Sequence, residues 1–254
     1  IVFSVCEWGD RQPWLWAGQA GGNLWRTTWD IRDAWETAQY NNGSAGIMNI
    51  LDHQVGLARY ASPGAWNDPD MLVVGMKAES GPAAVKARGC TDTEYRANMS
   101  LWCLLATPLF AACDLRSMSD TTRKTLTNPE ILALDQDPLG RAADRSIKDG
   151  DIEVWARPLV DGSWAVGLLN RDARATRKIR VQWSDLGIRG GILSVTHGKD
   201  AIWACSPVNM KLRWSPMRWW SSSSSPLKRI RERSGKKTET TQRTTWKQSL
   251  TLLK

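Results

Sequence analysis

The sequence predicts an α/β protein, half of a (β/α)8 barrel followed by a separate antiparallel β module. Two changes of pattern predict it. Through residue 140, short apolar runs alternate four times with helix-like stretches, the arrangement of parallel strands joined by helical crossovers. Beyond about residue 147 the period becomes two, as in Ile152-Glu153-Val154-Trp155-Ala156-Arg157, and Asp161-Gly162 supplies a hairpin turn. Composition adds a packed core. The chain has 254 residues, 42% of them hydrophobic, and its 16 Trp carry too much apolar area to stay solvated. No apolar run approaches the roughly 20 residues of a membrane-spanning helix.

Ile1 to Cys6 reads as a strand without clean alternation, as in a parallel sheet covered on both faces. A chain that opens inside such a strand is expected to be part of a longer one. A loop rich in Gly, Pro and Trp runs from Gly9 to Gly22, and a strand follows from Leu24 to Thr28. Ile31 to Tyr40 reads as a helix with Asp30 near its start. Ile47 to Tyr60 reads as another, from the spacing of Ile47, Ile50, Leu51, Val55 and Leu57. Ala65 to Asn67 and Met71 to Val74 suggest a strand and its loop around Pro69. Asp92 to Ala106 is expected to be helical, with Thr91 and Glu94 as a capping box. Leu109 to Ala112 is a last short strand, and Thr121 to Leu126 and Pro129 to Leu134 complete the helical pieces. Trp164 to Leu169 and Arg177 to Trp183 extend the β module. The resulting divisions are 1–146, 147–192 and a tail, 193–254.

The net charge of +8 sits in that tail. Residues 206–254 hold 12 Lys/Arg against 2 Asp/Glu, a net of +10, which leaves −2 for residues 1–205. Nucleic-acid binding would rest on the tail alone and is not expected. Trp219-Trp220, the run Ser221 to Ser225 and the basic run from Lys228 form no pattern that packs. The tail is expected to be disordered or out of frame. Reading the codons from Val208 one frame off permits a strand-like sequence, with the slip placed near residues 192–196. Five Cys in no CxxC pair argue against a zinc ribbon or a thioredoxin motif. With only His53 and His197 available, acid–base chemistry falls to carboxylates, and no metal or cofactor is implied.

Barrel enzymes place their sites at the C-terminal ends of the strands. At those ends stand Ser4-Val5-Cys6-Glu7-Trp8-Gly9, Trp25-Arg26-Thr27-Thr28-Trp29-Asp30, Trp66-Asn67-Asp68-Pro69-Asp70-Met71 and Ala112-Cys113-Asp114-Leu115-Arg116. Carboxylates, an Arg and several Trp along one rim suit a sugar: indole faces stack on pyranose C–H surfaces, and carboxylates accept hydroxyl hydrogens.

In order and spacing, SVCEWG, GNLWRTTWDI, GAWNDPDML, TPLFAACDLR and NPEILALDQDPLG resemble the α-galactosidase (melibiase) family of retaining glycoside hydrolases, in its C-terminal portion. The resemblance covers roughly residues 1–185. It implies a (β/α)8 barrel followed by an antiparallel β-sandwich, a galactoside substrate, and a secreted, lysosomal or vacuolar setting. It places the general acid/base at Asp30, whose alternative is a helix N-cap. It places Arg26 beside the sugar 2-hydroxyl, with Cys6 and Trp8 shaping the same pocket, Glu7 a weaker candidate, and Met71 approaching the ligand. Asp68 and Asp70 look like an acid/base pair, but the resemblance makes neither the catalytic acid: Asn67-Asp68-Pro69 reads as a turn closing the strand end, and Asp70 takes a structural role. The family's nucleophile lies on a strand upstream of Ile1 and is absent from this chain. α-N-acetylgalactosaminidase or β-L-arabinopyranosidase activity is the alternative within the family; a non-catalytic carbohydrate-binding chain is the alternative outside it.

Overall fold

The computed structural model describes residues 1–37, 44–77, 89–172, 177–187, 192–197, 202–204, 207–208, 211–212 and 251–253. Its first part contains β1 (Ser4–Val5), β2 (Leu24–Arg26), β3 (Asp30–Ile31), β4 (Ser44–Ala45) and β5 (Trp66–Asp68). β1, β2 and β5 form a parallel sheet in the order β1-β2-β5. The register pairs Val5 with Trp25, Trp25 with Asn67, and Arg26 with Asp68. A single parallel bridge, Leu72 to Ala111, extends the arc, so the strand expected over 109–112 contributes one rung.

Four helices accompany this arc, α1 (Ile47–His53), α2 (Asp92–Leu104), α3 (Asp120–Leu126) and α4 (Pro129–Asp135), with α3 and α4 packing on α2. The capping box of α2 forms as expected, with Thr91 Oγ1 accepting from the Glu94 N–H and Glu94 Oε2 accepting from the Thr91 N–H. The core joins Ile47, Met48, Ile50 and Leu51 of α1 to Leu101, Trp102 and Leu104 of α2 and to Leu72–Val74.

Two helix expectations are corrected. Residues 31–37 are not helical, and 38–40 lie outside the described residues. Instead Asp30–Ile31 pairs in parallel with Ser44–Ala45. The Ile31 N–H donates to Asp70 Oδ2, and the Arg32 N–H donates to the Ala45 carbonyl. These donors are committed to neighbours distant in sequence, so no helical ladder starts there and Asp30 caps nothing. The helix from Ile47 ends at His53, because Gly56 takes a left-handed φ of 79° before a short 3-10 turn at Ala58–Tyr60.

The β module comprises β6 (Asp144–Asp149), β7 (Ile152–Pro158), β8 (Trp164–Asn170), β9 (Arg177–Gln182) and β10 (Ile192–His197). β6-β7-β8 make one antiparallel sheet and β9-β10 a second. Val154, Ala156, Val166 and Leu168 of the first meet Ile179 and Val181 of the second in a common core, which makes the module a sandwich. The alternation along β7 has a different reason from the usual one. Glu153, Trp155 and Arg157 are all buried, and their face meets the barrel rather than water. Trp155 joins the barrel core, and Arg157 donates to the carbonyls of Cys103, Leu104 and Leu134 at the ends of α2 and α4. Glu153 enters an ion cluster with Arg145, Lys148 and Arg171, which also grip Asp52 of α1.

The sheet passes the expected limit at residue 192: all of β10 pairs in register with β9, from Ile192↔Gln182 to His197↔Arg177. Short strands at Ile202–Ala204 and Thr251–Leu253 pair with each other, as do Pro207–Val208 and Lys211–Leu212. The remainder of the tail expected to be disordered or out of frame, 198–201, 205–206, 209–210, 213–250 and 254, lies outside the described residues.

Candidate active site

Because β1, β2 and β5 are parallel and adjacent, the segments that leave their C-terminal ends emerge side by side: Cys6–Gly9, Thr27–Asp30 and Pro69–Met71. Gly9 makes the close approach of the first two possible. Its φ is 81°, and a Cβ there would stand 2.2 Å from the Thr27 carbonyl oxygen. The Trp29 indole Nε1 donates to Asp10 Oδ1 at 3.2 Å, tying the same two segments together one step further out.

Arg26 sits at the last position of β2 with its side chain buried. Its Nη2 contacts three oxygens: Asp70 Oδ2 at 2.9 Å, Asp30 Oδ1 at 3.2 Å and the Thr28 carbonyl at 3.2 Å. The two carboxylates differ sharply in environment. The Asp30 side chain is 60% exposed, whereas that of Asp70 is 7% exposed. Asp70 Oδ2 also accepts from the Ile31 N–H at 2.7 Å, and Oδ1 accepts from the Met71 N–H at 2.8 Å. Asp70 holds a left-handed φ of 80°, a conformation that Asp tolerates better than most residues. Its own N–H donates to Asp68 Oδ1 at 2.8 Å, and its carbonyl accepts from Trp102 Nε1 at 2.7 Å. Burial raises the Asp70 carboxyl above its ordinary range against the opposing pull of Arg26. Burial also pushes Asp68 up to about 6.

The structure therefore brings Arg26 and Asp30 together and joins both, through Asp70, to the backbone at Met71. Met71 is itself exposed beside this group. Cys6 is exposed at the end of β1, and Trp8 is half-exposed with a left-handed φ of 60°. The Glu7 carboxylate accepts from the Arg11 N–H at 3.0 Å and so closes its own loop. Asp114 faces Arg116 at 2.8 Å in an exposed pair. Sequence reasoning missed the part played by Asp70, because a turn at Asn67-Asp68-Pro69 accounted for its motif. It also missed Gln54, whose Oε1 accepts from Thr27 Oγ1 at 3.1 Å and braces β2 next to Arg26. Among the described residues, no group of three or more His, Cys, Asp or Glu side chains could hold a metal ion. The cation between Asp30 and Asp70 is Arg26.

A cleft of about 710 Å³ opens at the opposite, N-terminal end of the strands, lined by Ile1, Val2, Leu24, Trp66, Leu109 and Phe110 among others. None of the candidate residues lines it.

Comparison with known proteins gives consistent matches. A family model for alpha galactosidase A matches residues 3–137, and one for the alpha galactosidase C-terminal beta sandwich domain matches residues 149–201. Alpha-galactosidase A of Cellvibrio japonicus is 47% identical over 187 residues, covering 72% of this chain and 43% of the relative. The alpha-galactosidase of Cyamopsis tetragonoloba is 43% identical over 192 residues, covering 75% and 41%. Among solved structures, alpha-galactosidase I from Mortierella vinacea shares the fold with a TM-score of 0.69 at 24% identity, covering 80% of this chain and 57% of that one. The chain thus spans less than half the length of the curated relatives it matches.

Proposed function

Since the chain belongs to the alpha galactosidase A family, we propose that it forms the acid/base side of an enzyme that removes terminal α-D-galactosyl residues with retention of configuration. The observation that carries this reading is the contrast at Arg26. One carboxylate, Asp70, is buried and committed; the other, Asp30, shares the same guanidinium yet is 60% exposed at the strand ends, where a sugar can reach it.

In this reading Asp30 first donates a proton to the glycosidic oxygen as the C1–O bond breaks. A carboxylate from the segment preceding Ile1 in the complete enzyme forms the ester to C1. Asp30, now ionised, takes a proton from the water that attacks C1 and releases that ester. A retaining pair needs its two carboxyl groups about 5–5.5 Å apart, and Asp30 supplies one of them. Arg26 orients Asp30 and donates to the 2-hydroxyl; Cys6, Glu7, Trp8 and Met71 line the sugar's surroundings.

The test is Asp30→Asn in the complete enzyme. Hydrolysis of an unactivated α-galactosyl disaccharide is expected to fall by about 10²–10⁴-fold, the usual share of general acid–base catalysis. Formation of the glycosyl-enzyme from an activated aryl α-galactoside is expected to fall far less, because that leaving group departs without a proton. Near-normal hydrolysis of the disaccharide would refute the assignment.

A further inference from the structure

We propose that Asp70 is the positioning residue for Asp30, holding the backbone that presents it and keeping the charge of Arg26 from settling on it. This rests on the reading of Asp30 as the acid/base and adds a part to it.

Three observations converge. First, Asp70 Oδ2 accepts from the N–H of Ile31, the residue directly after Asp30, at 2.7 Å. The Asp30–Ile31 strand is only two residues long, so this bond is a principal restraint on where the Asp30 side chain starts. Second, Asp30 and Asp70 compete for one nitrogen. Arg26 Nη2 lies 2.9 Å from Asp70 and 3.2 Å from Asp30, while the buried Arg26 Nε has no hydrogen-bond partner. The better partner is the buried one, where a charge pair is less screened by water. Arg26 thus makes its shorter contact with the buried Asp70 and its longer one with the exposed Asp30. Third, Asp70 itself cannot drift. Its main chain is pinned by Asp68 Oδ1 and by Trp102 Nε1 of α2, and its second carboxylate oxygen holds the Met71 N–H. The charged groups facing Asp70 are Arg26 from β2, Asp30 from β3 and Asp68 from β5. Asp70 touches no reacting atom in this scheme; it acts through Asp30 and Arg26.

A positioning role leaves a signature that loss of folding would not produce. In Asp70→Asn, Arg26 keeps Asp30 as its one carboxylate partner, which favours the ionised form of Asp30 and weakens it as an acid. The experiment compares the complete enzyme and its Asp70→Asn, Asp70→Glu, Trp102→Phe and Asp30→Asn variants on two substrates: an unactivated α-galactosyl disaccharide and an activated aryl α-galactoside. For Asp70→Asn, kcat/KM is expected to fall at least 10-fold more on the disaccharide than on the aryl substrate, and the alkaline limb of its pH profile should move to lower pH. Asp70→Glu keeps the charge but moves the carboxylate, so it should show the substrate selectivity with the alkaline limb in place; it decides the matter if Asp70→Asn does not fold. Trp102→Phe removes the donor that pins the Asp70 main chain without touching the carboxylate, and should show the same substrate selectivity in smaller degree. Equal losses on the two substrates in the Asp70 variants, with Asp30→Asn still selective, would overturn the positioning role alone. An Asp30→Asn variant without selectivity would overturn the acid/base reading, and the role of Asp70 with it.

Discussion

Replacing Asp68 with Asn should make the protein more stable at neutral pH and leave it little changed in acid. Asp68 is buried at the end of β5, and burial raises its carboxyl from the ordinary 3.8 to about 6. Between those values the folded state holds a proton that the unfolded state has released. Stability must then fall as pH rises through this window, because the unfolded chain binds fewer protons than the folded one. Each pH unit between the two values corresponds to about 1.4 kcal/mol, so ionising Asp68 in place costs about 3 kcal/mol by pH 7. Asn has the same shape, carries no charge, and can still accept from the Asp70 N–H through Oδ1, the bond that Asp68 makes at 2.8 Å. The difference in unfolding free energy, Asp68→Asn variant minus parent, is expected near zero at about pH 4 and to climb by about 3 kcal/mol toward pH 7. Urea denaturation followed by tryptophan fluorescence at roughly pH 4, 5.5 and 7 measures it across the window, with Trp25 and Trp66 close by as reporters. A difference that does not vary with pH, or one that turns against the variant as pH rises, would refute the reasoning.

Two further outcomes follow from the same geometry. Truncating Glu153 to Ala removes a fully buried carboxylate that holds Arg145 and Arg171 and accepts from Trp155 Nε1; chemical denaturation should show a loss of about 3–5 kcal/mol, as when one partner of a buried ion cluster is deleted. The 254-residue chain by itself should not turn over an aryl α-galactoside and should self-associate in light scattering, because Ile1, Val2, Phe3 and Phe110 are exposed at its open strand edges; activity abolished by Asp30→Ala would show instead that a second carboxylate within the chain completes the pair.

The half-barrel and the β module were legible because both are written in local periodicity and in turn chemistry. The capping box at Thr91–Glu94 and the turn at Asp161-Gly162, where Gly162 takes a φ of 82°, need only neighbouring residues to form. What was not legible depends on partners far along the chain. The segment after Asp30 has helix-like spacing, yet its N–H groups go to Asp70 and Ala45, and no window of sequence around Ile31 contains either. The same distance hid the part played by Asp70. Read locally, Asn67-Asp68-Pro69-Asp70 is a turn; only the parallel register that sets Arg26 against Asp68 brings the Asp70 carboxylate to Arg26 and Ile31. The alternation of β7 does mark a strand, but its polar face is not solvated: Glu153 and Arg157 are fully buried against the barrel.

The central claim, that Asp30 is the acid/base of a retaining galactosidase, is tested most directly by the product that Asp30→Ala forms in azide. Without the carboxylate, water is no longer activated and the glycosyl-enzyme accumulates from an activated aryl α-galactoside. Azide needs no base. It attacks C1 from the face the leaving group vacated, forms the C1–N bond and displaces the enzyme carboxylate. Acid/base duty at Asp30 predicts rescued turnover and α-galactosyl azide by NMR, the configuration of the substrate retained. β-Galactosyl azide would make Asp30 the nucleophile, and full activity without azide would remove it from catalysis; either result contradicts the assignment.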